Sequence, residues 1–136
     1  MPRWAKGRIL VVDDEDEIRR LVKRAAEGAG YEVTEAATGA LGLDFAGKET
    51  FDSILLDIGM ESMDGRDVLT RLKAHPNTAT VPVLILSGST DHYDRRLVLE
   101  LGAEDFLEKP ITPNSLVLAI NNRIRRARGR AAEAEK

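Results

Sequence analysis

The sequence predicts an α/β protein in which a parallel sheet of five strands is covered by helices on both faces. Short segments rich in aliphatic and β-branched residues alternate along the chain with segments whose apolar residues recur at helical spacing. The connections between these segments are mostly short, which favours consecutive βα units. The first segment, residues 8–12 (RILVV), is apolar throughout from Ile9 onward, as expected of a strand that is buried on both faces.

The first half of the chain contains three predicted βα units. The strands are predicted at residues 8–12, 31–35 and 51–56, and the helices at residues 15–27, 38–48 and 66–74. Apolar residues of the first helix repeat on one face, and Gly28 follows as a stop signal. The third helix ends before Pro76 because the residue that precedes a proline disfavours helical backbone.

The second half of the chain contains two further predicted units. Their strands are predicted at residues 81–86 and 105–107, and their helices at residues 91–101 and from 113 towards 128. Pro82 is tolerated only near the start of its strand, because it has no N–H to donate to the sheet. Thr112 is a predicted N-cap, with Pro113 in the first helical position.

Length and composition indicate one domain of ordinary globular character. The 136 residues carry a net charge of −3 and include no cysteine, which excludes disulfides and thiolate chemistry. The N-terminus (MPRWAKG) lacks the apolar segment of a signal peptide, and no apolar run approaches the roughly 20 residues of a membrane span. We therefore expect a cytoplasmic protein with an N-terminal tail at residues 1–7, a domain at 8–127, and a C-terminal tail or the start of a linker at 128–136.

Five polar side chains are predicted to meet at one edge of the sheet, because the carboxyl ends of parallel strands lie together and ligands bind there. They follow the first, third, fourth and fifth strands: Asp13, Asp14, Asp57, Ser87 and Lys109. Clustered carboxylates repel one another unless a proton or a cation neutralises them, and their oxygens suit Mg²⁺. A hydroxyl and an ammonium group can hold phosphoryl oxygens, and an aspartate can accept a phosphoryl group. The sequence thus predicts phosphoryl transfer to Asp57.

Each of these residues alone has an ordinary explanation. An Asp-Asp pair after a strand commonly caps the next helix, and an aspartate at a strand end is commonly a turn residue. Most Lys-Pro pairs have no functional meaning. The separate signals nevertheless fall on one predicted edge, and core packing does not require that coincidence.

The motifs ILVVDDE, SILLD followed by MDG, LILSGS and GAEDFLEKP, in this order, resemble those of the receiver domain of bacterial two-component response regulators. The resemblance covers about residues 7–125. It implies a flavodoxin-like (βα)5 fold with a doubly wound sheet of order 2-1-3-4-5. It also implies that a histidine kinase or histidine phosphotransfer protein donates a phosphoryl group, and that the domain catalyses only its own phosphorylation and dephosphorylation.

The resemblance assigns a role to each residue of the metal site. Asp57 matches the phospho-acceptor. Asp14 matches the acid that binds Mg²⁺ directly, and Asp13 the acid that usually acts through water. The backbone carbonyl of Gly59 matches the remaining protein ligand of the metal.

A second group of matched residues forms the switch. Ser87 takes the place of the Ser/Thr whose hydroxyl bonds the phosphoryl group, and Lys109 that of the phosphoryl-binding lysine. Phe106 occupies the aromatic switch position. The Lys109-Pro110 bond is expected to be cis. The surface of the fourth helix, fifth strand and fifth helix is then expected to change on phosphorylation and to bind a partner or a second copy of the domain.

The chain departs from the family pattern in the loops of this site. Met60-Glu61 stands where the family usually has Met-Pro, which removes a rigid turn residue and adds an acid. Gly88 replaces the usual alanine. Gly59 and Ser89 are small where larger side chains are common, which leaves water access to a phosphoryl group.

Other functions fit the sequence less well. A phosphatase of the haloacid-dehalogenase class uses a similar set of groups, and Asp14-Glu15-Asp16 mimics its Asp-x-Asp spacing, but its nucleophile follows the first strand and 136 residues leave no room for a cap domain. A flavodoxin-type cofactor binder needs a phosphate-cradling loop after the first strand, where this chain is acidic.

The C-terminal segment carries a basic cluster: Arg123, Arg125, Arg126, Arg128 and Arg130. Cations in the last turns of a helix are common because they interact favourably with its dipole. No helix-turn-helix motif follows, so direct binding of nucleic acid is not predicted for this chain.

Overall fold

The computed structural model of the chain describes residues 6–88 and 93–134, and these residues form one five-stranded sheet with helices around it. The strands are β1 Gly7–Val12, β2 Tyr31–Ala36, β3 Ser53–Asp57, β4 Val83–Ser87 and β5 Asp105–Glu108. The helices are α1 Asp16–Gly28, α2 Gly39–Lys48, α3 Gly65–Ala74, α4 Arg95–Glu100 and α5 Pro113–Ala134. All neighbouring strands are parallel, in the order β2-β1-β3-β4-β5. The predicted α/β class and the flavodoxin-like strand order are confirmed.

Both faces of the sheet are packed by helices, because the strand side chains alternate between two apolar clusters. One cluster joins the sheet to α2, α3 and α4 and includes Leu10, Val12, Leu56, Ile85, Ala46, Val68, Leu69, Leu72 and Val98. The other joins the sheet to α1 and α5 and includes Ile9, Val11, Leu55, Leu84, Val22, Ala26, Leu116, Ile120 and Ile124. Polar residues therefore interrupt the central strands only where those strands reach the edge of the sheet.

Two strands begin later than predicted, β3 at Ser53 and β4 at Val83. Pro82 accounts for the second difference because it cannot donate to the ladder, although its carbonyl accepts a hydrogen bond from the Ile54 N–H at 3.0 Å. At its other end β3 includes Asp57 itself. The backbone of the candidate acceptor is thus held by the sheet.

The fourth helix is shorter than predicted. Asp94 is the N-cap of α4 and accepts hydrogen bonds from the N–H groups of Arg96 (2.9 Å) and Leu97 (3.3 Å). A capping carboxylate satisfies the free N–H groups of a first turn, so the helix begins after it. The predicted start at Asp91 lies outside the described residues.

The fifth helix continues to Ala134, past the predicted end near residue 128. Ion pairs join α5 to the start of β5, and one of them, that of Arg130, comes from this extension. Arg123 Nη2 lies 3.0 Å from Asp105 Oδ2. Arg130 Nη2 lies 3.2 Å from Glu104 Oε1. Part of the basic cluster is therefore paired with acids of the same chain. None of the described helices is long and apolar enough to cross a membrane.

The start of α3 lies directly against the chain that follows β3. A Cβ atom at Gly65 would lie 2.7 Å from Ile58 Cα and 2.9 Å from Asp57 O, closer than real side chains approach. Asp64 caps the helix by accepting a hydrogen bond from the Arg66 N–H at 2.9 Å. Asp64 thus begins the helix, and Gly65 allows it to pack beside the acceptor loop.

Candidate functional site

The strand register brings the predicted site residues to one edge of the sheet. Asp57, the last residue of β3, pairs with Leu86 of β4, and Ser87 at the end of β4 pairs with Glu108 of β5. Asp13 directly follows β1, and its N–H donates a hydrogen bond of 3.1 Å to the carbonyl of Ala36 at the end of β2. Side chains that are far apart in the sequence are therefore neighbours in the fold.

Three carboxylates form the centre of the site. Asp13, Asp14 and Asp57 each place one carboxylate oxygen within 4.8 Å of the others. Asp13 and Asp57 are buried, with 0% and 3% of their surface exposed, whereas Asp14 is exposed to solvent. The two buried acids lie at the ends of neighbouring strands, β1 and β3, and Asp14 is the solvent-exposed member of the cluster. This is the arrangement that the sequence predicted.

Burial favours the neutral forms of the two inner acids, and the charge of Asp13 adds to this effect at Asp57. Burial, opposed by the hydrogen bond from the Gly59 N–H and assisted by the charge of Asp13, raises the pKa of Asp57 to about 7. Burial also raises the pKa of Asp13, although the hydrogen bond from the Glu15 N–H and the charge of Lys109 oppose it. A proton or a cation is therefore needed to relieve this pair at neutral pH.

Each inner carboxylate has one oxygen fixed by the backbone. Asp13 Oδ1 accepts a hydrogen bond from the Glu15 N–H at 2.8 Å, and Asp57 Oδ1 accepts one from the Gly59 N–H at 2.9 Å. Asp13 Oδ2 is buried and makes no hydrogen bond to the described residues, although Lys109 Nζ lies 3.1 Å away. The one contact of this buried oxygen with the described residues is therefore its ion pair with Lys109.

Among the described residues, Lys109 is the cation of the site. Its Nζ lies 3.1 Å from Asp13 Oδ2, 3.6 Å from Asp57 Oδ2 and 2.7 Å from Glu15 Oε1. Burial lowers the pKa of Lys109, but the three acids outweigh it and the pKa is raised, so the ammonium form is retained. The Lys109-Pro110 bond is cis, as predicted, and the Lys109 N–H donates to the Ser87 carbonyl at 2.7 Å.

Glu15 is a site residue that the sequence did not reveal. Glu15 is the N-cap residue of α1, and its carboxylate, which is outside the cluster of three acids, accepts a hydrogen bond from Lys109 Nζ. Its position directly before the first helix explains it equally well as an ordinary acid at a positive helix end. Only the fold shows that Lys109, which is 94 residues further along the chain, reaches it.

Of the predicted switch residues, Ser87 lies at this edge, whereas Phe106 lies within β5, opposite Ile85. Ser87 is buried, with 2% of its surface exposed. Phe106 is partly buried in β5, where its ring lies 5.9 Å from that of Tyr93 and 5.3 Å from the Arg95 guanidinium carbon. Ser89, the other small residue noted in the sequence, lies outside the described residues.

Glu61, the departure from the family pattern, touches the acid cluster through its backbone. Its N–H lies 3.4 Å from Asp14 Oδ2 and donates to it. A proline at this position would have no N–H to donate. The acceptor loop of this chain thus makes a contact with Asp14 that the usual residue cannot make.

The cluster fits a hard divalent cation. Three carboxylates face a single lysine among the described residues, so acids outnumber cations there, and Asp13 Oδ2 has no partner in the described part of the chain except Lys109. Oxygen ligands at a partly open site suit Mg²⁺, which keeps several of its waters. The residues present therefore fit the cation that the sequence predicts.

Comparison with known proteins identifies the class to which this fold and site belong. The chain matches the response regulator receiver domain over residues 9–121. The match covers most of the chain, so the chain belongs to the response regulator receiver domain family.

Individual relatives agree with this assignment. The chain is 36% identical over 125 residues to the transcriptional regulatory protein SrrA of Staphylococcus aureus, covering 92% of this chain and 51% of that protein. It resembles the crystal structure of a putative response regulator from Chloroflexus aurantiacus (TM-score 0.80, 34% identity, 87% of this chain and 97% of that one). It also resembles the chemotaxis protein CheY4 of Vibrio cholerae (TM-score 0.79, 30% identity, 85% and 97%).

The chain spans about half the length of the curated relatives it matches. The comparisons confirm the predicted receiver domain and nothing in them favours the phosphatase alternative. The roles assigned to single residues remain predictions.

Proposed function

We propose that this receiver domain accepts a phosphoryl group on Asp57 from a histidine kinase or a histidine phosphotransfer protein, with Mg²⁺ held by Asp13, Asp14, Asp57 and the Gly59 carbonyl. The observation that carries the proposal is the position of Asp57. It is a buried carboxylate at a strand end, within 4.8 Å of two other acids and 3.6 Å from a lysine ammonium group. Core packing gives no reason to bury such a group.

The transfer makes one bond and breaks one. A carboxylate oxygen of Asp57 attacks phosphorus, a new O–P bond forms, and the P–N bond of the phosphohistidine breaks with its electron pair remaining on the imidazole nitrogen. Mg²⁺, when bound, supplies positive charge beside the phosphoryl oxygens. Asp57 must be ionised to attack. Burial raises its pKa to about 7, so positive charge beside it is needed to favour the ionised carboxylate.

Lys109 and Ser87 respond to the new charge. A phosphoryl group carries about two negative charges at neutral pH. Lys109 Nζ lies near enough to Asp57 to turn from Glu15 towards a phosphoryl oxygen, and the Ser87 hydroxyl lies at the end of the neighbouring strand. Both loops are drawn towards Asp57, and Phe106 turns into the space that Ser87 leaves.

The output is a change of surface on α4, β5 and α5. Phosphorylation selects between two existing arrangements of these elements through its different contacts in each. Leu97 and Leu99 on α4 are 38% and 48% exposed, which supports binding of a partner or a second copy at this face. The domain turns over no external substrate in this proposal.

Reaction with a small phospho-donor tests the proposed function against the phosphatase alternative. Protein with Mg²⁺ and acetyl phosphate should gain at most one acid-stable, base-labile acyl phosphate per chain. Hydrolysis of p-nitrophenyl phosphate should stay at the rate measured without protein. Sustained release of nitrophenol that Asp57→Asn leaves unchanged would contradict the proposal.

A further inference from the structure

Tyr93 lies beside Phe106, the aromatic residue of the proposed switch. It stands two residues before α4, and its ring stacks on that of Phe106 with centroids 5.9 Å apart and planes inclined by 28°. Both rings pack against the apolar cluster that joins the sheet to α2, α3 and α4. Any movement of Phe106 must therefore be accommodated by Tyr93.

The hydroxyl group of Tyr93 is buried without a hydrogen-bond partner among the described residues. The other tyrosine of the chain, Tyr31, has its hydroxyl group paired with the side chain of Asn121. Burying a hydroxyl group without a partner is unfavourable, because its bonds to water are lost and not replaced. The described arrangement thus leaves one group unsatisfied at the position where the switch must move.

Groups that could accept a hydrogen bond from the Tyr93 hydroxyl line a surface pocket to which Tyr93 itself contributes. Tyr93 shares a surface pocket of about 360 Å³ with the acceptor loop (Gly59, Met60 and Glu61) and with Asp64 and Arg66 at the start of α3. The carboxylates of Glu61 and Asp64 accept hydrogen bonds, as does the backbone of the acceptor loop.

We propose that Tyr93 is a positioning residue of the switch, through its ring in one state and its hydroxyl in the other. In the described state the ring supports Phe106 in its present orientation while the hydroxyl lacks a partner. When a phosphoryl group on Asp57 draws Ser87 inward and Tyr93 shifts, the hydroxyl gains a hydrogen bond at the acceptor loop and the stack on Phe106 is released. This inference rests on the proposed function, because it needs a group on Asp57 to draw the loop.

Tyr93→Phe removes only the hydroxyl and tests its part. Beryllofluoride with Mg²⁺ serves as the phosphoryl mimic, and amide NMR gives the concentration at half-saturation. We expect this midpoint to rise by roughly 3- to 10-fold, the change that one ordinary hydrogen bond gives. The melting temperature without beryllofluoride should be unchanged or raised, because the resting state loses an unsatisfied group.

Tyr31→Phe is the matched control, since the same atom is removed from a paired hydroxyl on another part of the fold. We expect a lower melting temperature and an unchanged midpoint. A midpoint for Tyr93→Phe equal to that of the wild type overturns the inference. A wild-type protein that fails to bind beryllofluoride at all overturns the proposed function and this inference together.

Tyr93→Leu tests the ring. Without the stack, the Phe106 resonances of the unmodified protein should move part of the way towards their positions in the beryllofluoride-bound wild type. Phe106 resonances that stay at the unmodified wild-type positions contradict the role of the ring, even if the hydroxyl result holds.

Discussion

Lys109 Nζ lies 3.6 Å from Asp57 Oδ2, so the ammonium group of one loop is beside the candidate acceptor before any phosphoryl group is present. The same nitrogen is nearer to Asp13 Oδ2 (3.1 Å) and to Glu15 Oε1 (2.7 Å). Lys109 therefore neutralises acids in the unmodified protein, and a phosphoryl group on Asp57 must compete for it. Stability, cation affinity and switching depend on the same few charges.

Removal of the Asp57 carboxylate should stabilise the metal-free protein above neutral pH. The pKa of Asp57 is raised from 3.8 to about 7. The folded state thus holds a proton that the unfolded chain releases, and the free energy of unfolding falls as pH rises from about 4 to about 7. Asparagine does not titrate, so Asp57→Asn does not lose this stability as pH rises. It should be more stable than the wild type by roughly 1 to 4 kcal/mol at pH 8. Urea unfolding with EDTA across this pH range measures the difference.

The difference should shrink towards pH 4 and on addition of Mg²⁺, since a cation that binds the folded wild type stabilises it. A difference between Asp57→Asn and the wild type that does not change with pH would show that the carboxylate is ionised throughout.

Loss of the Lys109 charge should destabilise the metal-free protein at pH 8. Lys109→Met leaves Asp13 and Asp57 buried without their cation, at a cost of roughly 1 to 3 kcal/mol. Lys48→Met is the control, because the ion pair of Lys48 with Asp44 is exposed and should change the free energy of unfolding by less than about 1 kcal/mol. Equal effects of the two variants in urea unfolding would mean that Lys109 is not needed to neutralise the inner acids.

Mg²⁺ affinity should depend on Asp14 and not on Asp16. Asp14→Ala removes an oxygen ligand from the cluster and part of its negative charge. Loss of a group that only supports a metal ligand costs roughly 10- to 100-fold in affinity, so the dissociation constant for Mg²⁺ should rise by at least that factor. Asp16 lies in the first turn of α1 and pairs with Arg19, so Asp16→Ala should change it little. Mg²⁺ titrations followed by amide NMR compare the two variants. A similar loss of Mg²⁺ affinity in both would place the cation elsewhere.

A methyl group at Gly65 should disturb the contact between α3 and the acceptor loop. Gly65→Ala places a Cβ 2.7 Å from Ile58 Cα, where backbone must move, and should lower the free energy of unfolding by roughly 1 to 3 kcal/mol. Gly47→Ala in α2 meets nothing within 4 Å and should raise it by up to about 1 kcal/mol. Thermal unfolding of both variants tests the pair. Stabilisation by both would mean that the close approach at Gly65 relaxes freely.

The order of the elements and the site at the strand ends could be predicted because both follow from local patterns. The apolar strands are separated by helical segments, and a parallel sheet then brings Asp13, Asp57, Ser87 and Lys109 to one edge whatever the details of packing. The resemblance to receiver domains added the strand order and the cis bond before Pro110, both of which the structure has.

Other features could not be predicted because they depend on contacts between distant segments. The fifth helix is predicted to run towards residue 128, yet α5 continues to Ala134, and Arg130 in this extension pairs with Glu104. The hydrogen bond between Lys109 and Glu15, and the unpartnered hydroxyl of Tyr93, follow from side-chain positions that no local pattern encodes.

Identification of the modified residue tests the central claim most directly. Wild-type protein, Asp57→Asn and the control Asp44→Asn, an exposed acid of α2, would be treated with acetyl phosphate and Mg²⁺ and examined by intact and tandem mass spectrometry. We predict one phosphoryl group on wild type and on Asp44→Asn, located at Asp57, and none on Asp57→Asn. A phosphoryl group on Asp57→Asn in equal yield, or one located on another residue of the wild type, would contradict the account.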